Sequence, residues 1–135
     1  MFWILYSAWL EYGEATCERP LMKRVEDLKL ARNERYSLRE AAQALKSDLP
    51  VTRVILFGSK ARGADQTDSD IDLLIVTRDP VNSTLRGAIS DRLADINLRN
   101  DVLLTSVVVS EKEWSSGLIR YTLIHSEVER DGCEI

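Results

Sequence analysis

Histidine is nearly absent from this chain and cysteine is scarce, with one His and two Cys in 135 residues. Cys17 and Cys133 lie near opposite ends, in none of the spacings that hold a metal ion, and two thiols are too few for a disulfide framework. Both are expected to behave as small apolar residues in a reducing, cytoplasmic setting. His125 has no sequence neighbour that would orient it as a general base, which leaves it on the surface of the last helix. Positive charge is also short: 18 Lys and Arg face 22 Asp and Glu, a net charge of −4. With a pI near 5.1 there is no basic footprint for gripping a phosphate backbone, which argues against tight, nonspecific nucleic-acid binding but does not exclude a nucleotide. No apolar run approaches the roughly twenty residues that a membrane-spanning helix takes, and no membrane partner is expected. Internal repeats and low-complexity tracts are lacking too.

What remains is ordinary globular usage, 44% hydrophobic and 30% charged, in a length that can bury roughly two-thirds of its unfolded surface as one domain. The amino terminus stands apart. Residues 1–10 carry Phe2, Trp3, Ile4, Leu5, Tyr6 and Trp9. No Lys or Arg precedes this stretch and no small-x-small cleavage signature follows, as a secretory signal requires. After Gly13 and Pro20 the chain restarts at Met22 with charged, helix-favouring residues. Either Met22 is the true start, or residues 1–21 form an apolar arm that packs on this domain or on a partner. The folded domain is expected over residues 22–135.

Within it, Val25, Leu28, Leu38, Ala42, Leu45 and Leu49 recur at helical steps once Ala31 and Arg35 fill the gap, which predicts helix through most of 22–48. Ser37 with Glu40 offers an alternative, a capping box that starts a second helix there. Pro50 stops the helix, and Val54, Ile55, Leu56 and Phe57 follow as a continuous apolar run of the kind buried strands show. Ile71 to Thr77 reads as a second strand. Asn82 or Ser83 caps a helix whose inner stripe is Leu85, Ile89, Leu93 and Ile96. A third strand covers 102–109, Ser110 with Glu113 makes another capping box, and a last helix near 121–130 ends at Gly132. The expected fold is α/β of the α+β type, a small mixed sheet with helices packed on it.

Chemistry concentrates between the first two strands. Gly58 and Ser59 end the first apolar run, Lys60, Ala61, Arg62 and Gly63 follow, and with ten residues between Ser59 and Asp70 come Asp70, Ile71 and Asp72. On a strand, positions i and i+2 share a face, about 6.6 Å apart. Two carboxylates so placed among Ile and Leu repel each other and are costly to desolvate without a counterion. A divalent cation resolves the conflict, and hard oxygen ligands favour Mg²⁺ or Mn²⁺ over Zn²⁺. A glycine at a strand end lets the backbone approach a ligand, and the following Ser offers a hydroxyl and an amide to a phosphate. Arg62 adds a forked cation and Lys60 a point charge suited to a triphosphate.

This Gly-Ser pair with Asp70-Ile71-Asp72 resembles the signature of the polymerase-beta-like nucleotidyltransferase superfamily. More narrowly, residues 57–75 (FGSKARGADQTDSDIDLLI) resemble the minimal nucleotidyltransferase family, with a looser likeness over residues 33–132. The resemblance implies the polymerase-beta-like fold, nucleotide phosphates on Gly58 and Ser59, and Mg²⁺ on Asp70 and Asp72. It also implies transfer of NMP from an NTP, with ATP the first choice, to an acceptor hydroxyl. A third carboxylate on the neighbouring strand usually completes the metal site; Asp101 is the only acid available there, while Thr105 and Ser106 occupy positions that could equally align. Family members often pair with a HEPN-domain toxin as its antitoxin, and some place AMP on a tyrosine of that partner. A chain this small leaves the acceptor surface to such a partner, with Trp114 or the N-terminal aromatics as docking candidates unless Trp114 packs on its own domain. The competing expectation is an inactive fold that neutralises the partner by occlusion. A free-standing small-molecule transferase would need a homodimer to build its acceptor pocket.

Overall fold

Continuous apolar runs need both faces covered, and the chain supplies helices for each. The computed structural model describes residues 24–63 and 70–135; the N-terminal extension, with its aromatics and Cys17, lies outside them. In chain order come helix α1 (Arg32–Asp48), strands β1 (Val51–Phe57) and β2 (Ile71–Thr77), and helix α2 (Ser83–Asn100). Strand β3 (Leu104–Ser110), helices α3 (Glu111–Ser116) and α4 (Leu123–Asp131) and the short strand β4 (Cys133–Glu134) follow. The sheet runs β3-β2-β1-β4. β1 is antiparallel to both β2 and β4, whereas β2 and β3 are parallel. Parallel neighbours need a crossover of a dozen or more residues, and α2 provides it. The architecture is the expected mixed α/β arrangement, with β4 as a strand that two residues of sequence did not announce.

Alternation along the strands divides the core in two. Val54, Leu56, Ile71, Leu73 and Ile75 pack with Leu38 and Leu45 of α1 and Ile89, Leu93 and Ile96 of α2. Ile55, Phe57, Leu74 and Val76 turn to the other face, against Val109, Trp114 of α3 and Val128 of α4. Cys133 is buried at the β4 edge. Among the described residues no helix is long and apolar enough to cross a membrane.

The helix expected through 22–48 is interrupted. A 3-10 turn at Val25–Asp27 precedes an extended stretch, and α1 begins only at Arg32. Arg35 explains the break: its guanidinium donates to the carbonyls of Glu26 (3.2 Å) and Leu28 (2.9 Å), which a continuous helix would have used internally. Val25 and Leu28 still reach the core, so the apolar spacing survives without the helix. Ser37 is no cap; it is buried inside α1 and its hydroxyl donates to the Asn33 carbonyl at 2.7 Å. Asn82 caps α2 by accepting from the Leu85 N–H at 2.8 Å, and Ser110 caps α3 by accepting from Glu113 N–H at 3.2 Å. Gly132 follows α4, as the spacing anticipates.

Polar side chains lash the start of α1 to the end of α2. Glu40 accepts from Arg99 Nη1 at 2.8 Å and from Asn100 Nδ2 at 2.9 Å, and the Asn100 amide also donates to Ser37. The hydrogen bond from Arg99, helped by Asn100 and opposed by partial desolvation, holds the Glu40 carboxyl below its ordinary value of 4.5. A depressed acid contributes stability above its unfolded pKa and loses it as pH falls through the folded one. Glu40→Gln should therefore lose less stability than the parent chain between about pH 5 and pH 3, as read from urea midpoints across that range. Parallel pH profiles would contradict the tie.

Candidate active site

β1 runs out at Phe57 and the chain turns sharply. Gly58 takes φ +79°, the left-handed region that L side chains rarely adopt, and a Cβ added there would lie 2.4 Å from Asp72 Oδ2. Two separate constraints therefore demand glycine. The turn that follows is closed by Arg62 N–H on the Gly58 carbonyl (3.1 Å) and Gly63 N–H on the Lys60 carbonyl (3.3 Å). Ser59 is half-buried at its start and Arg62 is exposed.

Asp72 stands opposite Phe57 on β1 and opposite Thr105 on β3. Its carboxylate is half-buried and shared between the two neighbours: Oδ1 accepts from the Thr105 hydroxyl at 2.9 Å, while Oδ2 fills the space where a side chain at position 58 would begin. Asp70 is exposed, one residue before β2, where the Ile71 N–H bonds the Leu103 carbonyl at 2.9 Å and prolongs the ladder to β3. The alternation of an extended chain puts Asp70 on the side that Asp72 occupies. The structure thus brings Gly58, Ser59, Asp70 and Asp72 to one end of the sheet, with Thr105 as the hydroxyl that orients Asp72.

Two of the candidate residues are placed elsewhere. Asp101 is not on β3; it is the exposed C-cap of α2 at φ 53°, with its N–H on the Asn97 carbonyl and its own carbonyl accepting from Asn33 Nδ2 at 3.2 Å. Aspartate tolerates this left-handed cap better than most residues, and β3 starts only three positions later, so the residue level with Asp72 is Thr105. Lys60 turns inward. Its side chain is 4% exposed, with Nζ 2.8 Å from Glu34 Oε2 on the first turn of α1. Trp114, 8% exposed, packs on its own domain with its ring 4.4 Å from that of half-buried His125.

Sequence reasoning overlooked Glu34. It sits three residues after Ala31 and its Oε1 accepts the Ala31 N–H at 2.8 Å, half of a capping box. With alanine rather than Ser or Thr at the cap, the pattern carries no visible signature.

Among the described residues no three His, Cys, Asp or Glu side chains gather as a metal-ligand cluster. Among the described residues the donors at the sheet end are two aspartates, both hard oxygen ligands. That set fits Mg²⁺, which usually keeps several waters and is bound by one or two carboxylates together with substrate phosphates.

The model of the nucleotidyltransferase domain family matches residues 38–128, more than half of the chain. A protein of Methanocaldococcus jannaschii, described as a candidate protein adenylyltransferase, is 34% identical over 82 residues, 59% of this chain and 77% of that one. Among solved structures, a toxin–antitoxin with AMP-PNP superposes with a TM-score of 0.52 at 20% identity, covering 71% of this chain and 69% of that one. A mutant of the toxin–antitoxin MntA-HpeT gives 0.51 at 18% identity, over 71% and 69%. Likeness at these identities is one of fold, the polymerase-beta-like nucleotidyltransferase fold.

Replacing Gly58 by alanine should cost at least about 1–2 kcal/mol from the left-handed backbone alone and displace the Asp72 carboxylate. Gly63→Ala is the control, since that glycine is also left-handed (φ +76°) but a Cβ there meets nothing within 4 Å. Urea unfolding and calorimetric Mn²⁺ titration of both variants should show comparable backbone destabilisation, with metal affinity lost only in Gly58→Ala. Equal metal affinities would mean that position 58 does not shape the carboxylate site.

Proposed function

Because the chain belongs to the nucleotidyltransferase domain family, we propose that it moves AMP from ATP to an acceptor hydroxyl, that the acceptor is a tyrosine of a HEPN-type toxin, and that the chain is that toxin's antitoxin. The observation that carries this reading is the Asp72 carboxylate, pinned by Thr105 and seated over the bare backbone of Gly58 beside Asp70. The name of the Methanocaldococcus relative supports an adenylyl unit and a protein acceptor.

In the proposed reaction the triphosphate lies against the Gly58–Ser59 turn, and Asp70 and Asp72 hold Mg²⁺, with Mn²⁺ as substitute. When bound, the ion offsets phosphate charge and aligns an in-line displacement. Ser59 offers its hydroxyl and backbone to the phosphates and exposed Arg62 its guanidinium. The acceptor oxygen attacks the α-phosphorus as its proton passes to solvent, the bond from that phosphorus to the bridging oxygen of the β-phosphate breaks, and pyrophosphate departs. This reading leaves Lys60 and Asp101 out of direct contact with the nucleotide and metal.

A second reading is favoured by one observation, that Thr105 rather than an acid faces Asp72. A site with two carboxylates can hold a nucleotide while transferring slowly, and the chain would then neutralise its partner by occlusion.

Labelled ATP and Mg²⁺ with the purified chain, with and without its co-purifying partner, separate the two. Label should appear on a partner tyrosine with the parent chain and fall by about 10³-fold or more in Asp70→Ala/Asp72→Ala, the several kcal/mol a metal site supplies. ATP binding without transfer from any of the four NTPs to a verified partner would replace transfer by occlusion.

A further inference from the structure

We infer that Lys60 and Glu34 form a positioning pair, which holds the turn at Gly58 in the shape that receives a triphosphate; the inference rests on the nucleotidyl-transfer reading above. A lysine two residues beyond the turn glycine has the reach to meet phosphate oxygens directly. Here it points the other way, with Nζ 2.8 Å from Glu34 Oε2 and side-chain exposures of 4% and 11%. Such a pair needs a reason, because apolar residues of similar volume are often at least as stabilising as buried opposite charges.

The geometry supplies one. Glu34 is fixed at its other oxygen by the Ala31 N–H at 2.8 Å, so its carboxylate belongs to the first turn of α1. That helix is anchored in the core through Leu38 and Leu45, both fully buried. At the other end of the side chain, the Lys60 carbonyl closes the turn onto Gly63 and the Gly58 carbonyl closes it onto Arg62. Gly58 in turn abuts Asp72 Oδ2. A rigid helix, a buried ion pair, a two-bond turn and a metal-binding carboxylate are therefore connected in series. Holding the turn before the nucleotide arrives removes an ordering cost from binding. Lys60 is by this account a positioning residue, and exposed Arg62 is the cation presented to the phosphates.

The test uses Glu34→Gln, Lys60→Met, their double variant and Lys60→Arg, each checked for cooperative thermal unfolding, with two readouts. The first is hydrogen exchange at the Arg62 and Gly63 amides, which requires no nucleotide. In Glu34→Gln and Lys60→Met these amides should exchange at least tenfold faster while those of β1 do not. The second is the Kd for Mg·ATP. Each single variant should raise it about tenfold, the double variant should add less than threefold to either, and Lys60→Arg, which keeps a cation on Glu34, should stay within threefold of the parent. Unchanged exchange at Arg62 and Gly63 overturns the positioning role whatever the nucleotide does. A loss of affinity in Lys60→Met with none in Glu34→Gln overturns it in favour of direct phosphate contact. Accelerated exchange in the variants, together with a parent chain that binds no Mg·ATP, sinks the nucleotidyl-transfer reading, and with it the purpose assigned to the pair, while leaving the mechanical link intact. Should Glu34→Gln fail to fold, the apolar pair Glu34→Leu/Lys60→Met takes its place with the same expected losses.

Discussion

Asp72 is a charge on an interior strand, flanked by β1 on one side and β3 on the other. A carboxylate drawn partly out of water loses hydration that donors or a cation must replace. The adjoining strands are shaped around that need. On β3 the register puts Thr105 opposite, and its hydroxyl donates to Oδ1. On the β1 side the chain yields space: the residue after Phe57 has no side chain and turns through a left-handed conformation, leaving Oδ2 at the open end of the sheet. One carboxylate thus constrains three segments that are far apart in sequence.

Helix α1 has a comparable role for the surroundings of that end. Asn33 donates to the carbonyls of Asn100 and Asp101, Glu40 binds Arg99 and Asn100, and Glu34 holds Lys60. The glycine turn and the exit of α2 are both referenced to the same few residues. Among the described residues no buried side-chain nitrogen or oxygen lacks a hydrogen-bond partner, which is what makes buried polar side chains at a helix start tolerable. The left-handed cap at Asp101 follows from this arrangement, since its carbonyl is held by α1 and its N–H by α2.

Strand runs, the Gly-Ser turn and the Asp-x-Asp pair were legible because each is local: the first rests on apolar continuity, the others on residue type at short spacing. Side-chain direction was not. Nothing adjacent to Lys60 tells that it faces inward, because its partner lies 26 positions earlier and the capping pattern that would flag Glu34 is masked by Ala31. The level of a carboxylate on a parallel neighbour was equally hidden. Whether Asp101 or Thr105 stands beside Asp72 depends on where α2 stops, and α2 runs to Asn100 before β3 can begin. Arg35 read as filler in a helical stripe, yet its bonds to two upstream carbonyls hold residues 26–28 out of the helix. β4 escaped notice because two residues carry no periodicity, and its pairing with Ile55 and Leu56 is a tertiary event.

Thr105 has a chemical consequence for the proposed transfer. An acceptor hydroxyl must lose its proton as it attacks phosphorus, and an acid level with Asp72 would be the natural group to take it. Threonine cannot, and the cap at Asp101 lies off the strand. The less help the site gives with that proton, the more the acceptor must be acidic by itself. A phenol, with a pKa of about 10, surrenders its proton several orders of magnitude more readily than a serine or sugar hydroxyl. Among the described residues no acid stands level with Asp72, which is consistent with the tyrosine acceptor proposed above. The two proposed readings would then be ends of one scale, since a site that relied on its acceptor's acidity would transfer to a well-presented phenol and merely bind nucleotide beside a less acidic hydroxyl.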